Sequence, residues 1–279
     1  MQKKGSHCLQ AKASRQWPRR PSMILSESSV EADDHRRPST FVTREVKQMF
    51  FFDMGYILMV MLPGLLISGA ASLAVRSAFN KYSQVGSMRN ITGAQAAQTM
   101  LDNAGIHDVT IVQTQGFLSA HYNPTNKTLA LSPGVYQSTS VAAIGIACHE
   151  AGHAMQHAHG YVPMWIRSAL VPAANIGSYL GYIVMAMGAL FSPSMVIVGA
   201  VLFSAVVLFQ LVTLPVEFDA SARAKREVVA QGILYPEEQT GVNRVLNAAA
   251  MTYVAAVITS LLTIAYYLMR AGLLGGSDD

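Results

Sequence analysis

The segment Ala147–His153 combines residue types and a spacing that suit a hydrolytic metal site. It reads Ala-Cys-His-Glu-Ala-Gly-His and so contains the pattern His-Glu-x-x-His. On a helix, His149 and His153 lie within roughly 40° of each other and about 6 Å apart along the axis, so both imidazoles can bind one Zn²⁺ ion. Glu150 then projects beside the metal, where its carboxylate can act as the general base. Gly152 leaves room for the substrate or for a neighbouring helix.

A catalytic zinc usually has three protein ligands and one open position for water. We predict that the third ligand is Glu217, the first charged residue after a long apolar stretch. The alternative is His159, whose spacing fits the longer motif His-Glu-x-x-His-x-x-Gly-x-x-His. In that motif a glycine lets the chain turn back to the metal, and Gln156 occupies its position here. His157 lies too far along a continuous helix to reach the same ion.

Other polar residues are candidates for supporting roles. Ser221 shares the helix face of Glu217, four residues earlier, so it is a better candidate than Asp219 to orient a metal ligand. Hydrolysis also requires a hydrogen-bond donor for the oxyanion. His121 and Tyr122 are candidates for that donor, and the alternative interpretation is that they only pack in a turn.

The composition indicates a membrane protein. Of the 279 residues, 51% are hydrophobic and 13% are charged, against about 25% charged in soluble domains. A membrane-spanning helix needs about 20 apolar residues. Four stretches meet that length, and none contains a charged residue: Met54–Val75, Ser168–Phe191, Ser194–Val216 and Ala248–Met269. Ser192 and Pro193 alone join the second stretch to the third, which predicts a tight helical hairpin.

Shorter elements are expected between these stretches. Thr92 can cap a helix over Ala94–Asn103, ended by Gly105. Two short strands are predicted at Val109–Val112 and Thr128–Leu131, with a turn over residues 121–127. The metal-binding helix starts near Ser138–Ser140 and runs through His157. Further along, Pro215 is expected to open a helix that Gly232 ends, and Pro236 to start the last long helix. The predicted fold is mainly α and integral to the membrane, with a small α/β segment.

The order of these elements predicts a topology. Two segments of mixed polar and apolar composition, here called the mixed segments, lie between the first and second stretches and between the third and fourth. The hairpin crosses the membrane twice between them, so both mixed segments must lie on the same side of the membrane. That side carries the basic residues near the spans, namely Arg76, Lys81, Arg167, Arg223, Lys225, Arg226 and Arg244. The positive-inside rule therefore places the metal-binding helix and the active site on the cytoplasmic side.

The two ends of the chain are expected to lie outside the catalytic domain at residues 49–270. Residues 1–48 hold ten Lys/Arg and five Asp/Glu and lack hydrophobic periodicity, so they are predicted to be disordered. We favour a gene-start artefact ahead of Met49 over a polar targeting leader. These basic residues lack aromatic interleaving, so no nucleic-acid partner is expected. Residues 271–279 form a short tail. Cys148 lies in an apolar run and is expected to be a buried, reduced thiol.

Four segments resemble the YugP-like family of membrane neutral zinc metallopeptidases: HEAGHAMQH, LPVEFDAS, HYNP with KTLALSPGVY, and AAMTYVAA. The resemblance runs from about Met49 to Met269. It implies a four-span peptidase of the bacterial inner membrane, with His149 and His153 as zinc ligands and Glu150 as the catalytic acid/base. The site is also similar to that of CAAX-prenyl endoproteases and membrane heat-shock proteases, where a Glu-x-x-x-Asp helix supplies the third ligand. Glu217 matches that Glu, whereas Ser221 stands in place of the Asp.

The expected function is zinc-dependent endopeptidase activity on a protein or peptide associated with the lipid bilayer. One alternative is an intramembrane site-2-type protease, but the apolar run before His149 is only Val141–Cys148, too short to cross a membrane. The other alternative is a non-catalytic membrane scaffold with a structural zinc site. Structural sites close the coordination with Cys or a fourth His, and Glu150 would then have no role.

Overall fold

A computed structural model of the chain describes residues 53–116 and 119–274. In these residues the elements follow one another in this order: α1 (Met54–Tyr82), α2 (Gly93–Asn103), β1 (Thr110–Gln113), β2 (His121–Asn123), β3 (Thr128–Leu131), α3 (Pro133–Tyr136), α4 (Val141–Ala158), α5 (Val162–Phe191), α6 (Pro193–Ala230) and α7 (Pro236–Arg270). The predicted extension over residues 1–48 lies outside the described residues, as does the end of the predicted tail.

Four helices in the described ranges are long and apolar enough to cross a membrane: α1, α5, α6 and α7. They contain the four apolar stretches, so the prediction of four candidate spans is confirmed. The hairpin between α5 and α6 is also confirmed. Ser192 has an extended backbone with φ −165° and ψ 130°, and Pro193 occupies the first turn of α6, where its missing N–H removes no helical hydrogen bond.

Helix α6 differs from the prediction at Pro215. The sequence suggested a new helix opening there, but α6 runs without interruption from Pro193 to Ala230, with Pro215 inside it. A proline inside a helix removes one backbone hydrogen bond. That loss is offset because the helix is anchored on both sides, by packing of Phe203 and Val207 before the proline and of Ala224 and Val228 after it. Glu217 is therefore carried on a continuous helix that begins in a candidate span.

The two helices predicted between the first and second spans are confirmed. Thr92 caps α2, since its hydroxyl accepts from Gln95 N at 3.2 Å and the Gln95 side chain accepts from Thr92 N at 2.8 Å. Gly105 follows with φ +71°, a conformation that favours glycine. Ser140 caps α4 by accepting from Ala143 N at 3.2 Å. These caps set where the metal-binding helix and its neighbour begin.

The described strands form a sheet in the order β1-β3-β2. Strand β3 is parallel to β1 and antiparallel to β2. The prediction of a turn over residues 121–127 was wrong for its first part, because His121–Asn123 pair with Thr128–Ala130 as a strand. Cross-strand hydrogen bonding outweighs the turn preference of those residues. The position of β3 in the centre also means that Thr128–Leu131 offers no free edge.

One apolar core joins α2, β3, α4, the end of α6 and the start of α7. Its buried members include Met100, Leu129, Leu131, Ile144, Ala147, Ala151, Ala224, Val228, Val242 and Leu246. The two mixed segments of the sequence therefore pack together, as the hairpin topology predicted. Cys148 belongs to this core and is free and buried, as expected. Helix α4 is thus held between α2 on one side and α6 and α7 on the other.

Candidate metal centre

Helices α4 and α6 bring three potential metal ligands together. His149 and His153 lie one turn apart on α4, with ring centroids 4.7 Å apart. Glu217 Oε2 of α6 lies 3.3 Å from His149 Nε2 and 3.5 Å from His153 Nε2. One ligand atom from each residue falls within 4.8 Å of the other two. The structure therefore assembles the predicted pair of histidines with the predicted glutamate.

The alternative third ligand is not part of this cluster. His159 is the exposed residue that ends α4, and the helix continues past Gln156 without turning back. His157 is also engaged elsewhere, with its Nδ1 2.8 Å from the Tyr122 hydroxyl. Of the three candidates weighed from the sequence, only Glu217 faces both His149 and His153.

The three residues fit a metal ion. The side chain of Glu217 is deeply buried, with 2% of the residue exposed, and its Oε2 accepts no hydrogen bond from any residue that the structure describes. Distances of 3.3 and 3.5 Å to the histidine nitrogens exceed normal N–H···O lengths. A buried carboxylate oxygen without a partner is unfavourable. Two imidazoles and one carboxylate are a donor set typical of catalytic zinc, and an ion held by them would satisfy that oxygen.

The electrostatics also favour a cation. Burial lowers the pKa of His153, but the neighbouring carboxylates of Glu217 and Glu150 raise it by more, so the net direction is upward. Two carboxylates thus favour positive charge at this position. Arg167 of α5 lies on the other side of Glu217, with Nη2 3.7 Å from Oε1, and partly balances the carboxylate.

Both imidazoles are oriented through their second nitrogen. Ser221 Oγ lies 3.1 Å from His149 Nδ1, and Gln156 Oε1 lies 3.0 Å from His153 Nδ1. These contacts leave both Nε2 atoms directed at Glu217, as metal-binding histidines require. Ser221 therefore contacts one of the predicted ligands, and its role in orienting a metal ligand stays a prediction.

Gln156 is a supporting residue that the sequence did not reveal. It is fully buried, and its Nε2 donates to Val216 O and to Asp219 Oδ2, both at 2.8 Å. Because the amide nitrogen donates to α6, the amide oxygen accepts from His153 Nδ1. Asp219, although it faces away from the ligands, thereby supports His153 through Gln156. The signal in the sequence was an uncharged polar residue three positions after His153, on the same face of α4 as the two histidines.

A cavity of about 200 Å³ opens beside the cluster. His149, Glu150, Glu217, Ser221 and Tyr253 supply its polar lining. Its other lining residues are apolar: Val75, Phe79, Ala120, Ile146, Val245, Leu246, Ala249 and Ala250. Glu150 is largely buried, at 8% exposure, and reaches this cavity next to the ligands. Such a position suits a general base acting on a water at the metal.

Neither residue considered for the oxyanion donor lies in this cavity. His121 is exposed, and its Nδ1 contacts Ser119 O at 2.9 Å. The Tyr122 hydroxyl bonds to His157, and burial raises the pKa of Tyr122 to about 12, so the phenol stays protonated. The structure thus favours the packing interpretation for both. Tyr253, which the sequence analysis did not single out, does line the cavity.

Gly152 lets the two ligand-bearing helices approach closely. A Cβ at this position would lie 2.7 Å from Ala220 O of α6, closer than van der Waals contact allows. The interpretation of Gly152 as room for a neighbouring helix is therefore confirmed. Without this approach Glu217 could not reach His149 and His153.

Comparison with known proteins agrees with this geometry. Residues 57–272 match the protein family described as "Putative neutral zinc metallopeptidase". The chain belongs to this family. A curated relative, "Putative membrane protease YugP" of Bacillus subtilis (strain 168), is 42% identical over 210 residues, which cover 75% of this chain and 92% of the relative. The family predicted from the sequence is therefore confirmed. No solved structure shows significant similarity to the chain.

Proposed function

We propose that this protein is a membrane-bound, zinc-dependent endopeptidase that hydrolyses peptide bonds through an activated water. The observation that carries the proposal is the buried cluster of His149, His153 and Glu217 with Glu150 beside it in one cavity. Membership of a zinc peptidase family and the similarity to a membrane protease support it. The catalytic domain spans residues 49–270.

Each residue of the cluster has a role in this mechanism. When bound by His149, His153 and Glu217, zinc supplies a Lewis acid that activates water and polarises the scissile carbonyl. Glu150 takes the proton of the attacking water and then delivers it to the leaving amine nitrogen. Ser221 and Gln156 hold the two imidazoles in place, and the apolar cavity walls limit access of bulk water.

The substrate is a protein or peptide segment at the membrane surface. The cavity is lined by Val75, the last apolar residue of the first predicted span, and by Ala249, near the start of the fourth. Glu217 directly follows the third span. The scissile bond is therefore bound where spans leave the apolar layer. Strand β2 lies at the edge of the described sheet and follows Ala120 of the cavity wall, so an extended substrate can pair with it.

Two observations support a proposed location, namely the similarity to a membrane protease and the distribution of basic residues. The similarity to a bacterial membrane protease and the four apolar helices support a multi-pass protein of the bacterial inner membrane. Basic residues cluster on the side of the bilayer that carries α4, which favours a cytoplasmic active site. Cysteine labelling at Gln84 and at Ser192 in intact cells would test this orientation.

The two alternatives are less well supported. A structural zinc site would need a fourth protein ligand. Among the described residues the cluster consists of three, and burial raises the pKa of the Cys148 thiol to about 12, far from a metal-binding thiolate. An intramembrane protease would carry its motif within a span, whereas α4 is not among the four candidate spans.

The decisive experiment compares the full-length chain with its Glu150→Gln variant, purified in detergent with zinc. We expect cleavage of fluorescein-labelled casein to fall by about 10²–10⁴-fold, because a general base is lost. Zinc content should remain near that of the parent chain, since Glu150 is not a ligand. Equal cleavage by both proteins would reject the proposed mechanism, and zinc loss in the variant would reject the ligand assignment.

A further inference from the structure

Hydrolysis of a peptide bond by this site needs a hydrogen-bond donor for the developing oxyanion. When water attacks, the carbonyl π electrons move onto oxygen, and a preorganised donor stabilises that charge. His121 and Tyr122 lie outside the cavity. The donor must be sought among the side chains that do line it.

Five polar side chains line the cavity, and four of them already have a role in the site. His149 and Glu217 belong to the metal cluster. Glu150 is the proposed base, and an ionised carboxylate only accepts hydrogen bonds. Ser221 Oγ lies 3.1 Å from His149 Nδ1, so it has a role in orienting that ring. The Tyr253 hydroxyl is a side-chain donor of the described lining to which no role has yet been assigned.

Tyr253 is also placed close to the reacting groups. It projects from α7 into the cavity wall that faces α4. It lines the same cavity as Glu217 and Glu150, so it lies near both the metal cluster and the base. Helix α7 is fixed at this point because neighbouring Leu246 and Ala250 are buried. A rigid helix holds such a donor more precisely than a loop does.

We propose that the Tyr253 hydroxyl donates a hydrogen bond to the oxyanion of the tetrahedral intermediate. This inference rests on the proposed peptidase function. The phenol keeps its proton throughout. As the intermediate collapses, the oxygen electron pair re-forms the C=O bond, the C–N bond breaks, and the proton from water passes through Glu150 to the leaving nitrogen.

A different role for Tyr253 would be to hold Glu217 in position, and the two roles differ in their consequences. An oxyanion donor acts in the transition state, so its removal lowers kcat with little change in KM. A residue that positions a ligand would instead alter zinc affinity. Zinc content therefore separates the two roles independently of activity.

The test is Tyr253→Phe in the full-length protein, with Tyr136→Phe as the matched control. The control also removes one partly buried phenol hydroxyl, but from helix α3, which supplies no residue to the cavity. We expect Tyr253→Phe to retain bound zinc, to lower kcat by about 10²–10³-fold, and to change KM little. Its affinity for a phosphinic peptide, which carries a tetrahedral anionic centre, should fall in parallel, whereas Tyr136→Phe should match the parent chain.

Any one of three results for Tyr253→Phe would overturn the inference. The variant could retain both kcat and phosphinic-peptide affinity, it could lose zinc, or it could change KM alone. If the parent chain binds zinc but cleaves no peptide, the peptidase proposal fails. In that case the phosphinic-peptide affinities of the two variants still show whether the Tyr253 hydroxyl contacts a tetrahedral anion.

Discussion

Gln156 offers a direct test of how the site is built, because its one amide connects both ligand-bearing helices. We expect Gln156→Leu, which keeps similar size, to weaken zinc binding. The variant removes the acceptor at 3.0 Å from His153 Nδ1 and the two donations at 2.8 Å to Val216 O and Asp219 Oδ2. His153 is then free to rotate, and its buried Nδ1 has lost its partner.

The size of the effect follows from these contacts. Loss of the partner of a metal-binding histidine typically weakens metal affinity by about 10–100-fold, which corresponds to about 1.4–2.7 kcal/mol. A buried donor left without a partner costs a further 1–3 kcal/mol or so in folding stability. Asp219 keeps its ion pair with Arg223 at 2.6 Å, so it adds little to this loss.

Zinc affinity would be measured in detergent by competition with a chromophoric chelator, and folding by thermal denaturation with excess chelator. The matched control is Asp219→Asn, which retains an oxygen to accept from Gln156 and should change zinc affinity by less than about threefold, as for partly exposed charges. Unchanged zinc affinity in Gln156→Leu would refute the reasoning, and so would an equal loss in both variants.

Two further predictions concern the helices that form the site. Glu217→Ala should abolish both zinc binding and casein cleavage, whereas His159→Ala, at the exposed end of α4, should change neither; metal analysis showing the reverse pattern would establish a three-histidine site. Gly152→Ala should destabilise the protein by about 1–3 kcal/mol in thermal denaturation, because its Cβ would lie 2.7 Å from Ala220 O. Gly134→Ala, where no atom lies within 4 Å, is the control, and equal melting temperatures for the two variants would contradict the packing argument.

Several features of the fold were predictable because they depend on neighbours in the sequence. The caps at Thr92 and Ser140 work through bonds to residues three positions on. The candidate spans follow from the length of apolar stretches alone. The spacing of His149 and His153 sets both on one helix face before any tertiary contact is known.

The predictions that failed had ignored partners distant along the chain. Pro215 looked like a helix start, but packing on both sides keeps α6 continuous through it. His121–Asn123 looked like part of a turn, but pairing with β3 makes it a strand. Local preference amounts to about 1 kcal/mol per residue or less, so tertiary packing readily overrides it.

The sequence by itself determined the family, the candidate spans, the two histidines on one helix face and the acid beside them, because each depends on residue type and short-range spacing. Only the tertiary structure brings Glu217 to His149 and His153, since the helices must touch at Gly152 and Ala220 for the carboxylate to reach. It also assigned Gln156 and Tyr253 to the site. Their partners lie on other helices, and no spacing rule connects residues that meet only through packing.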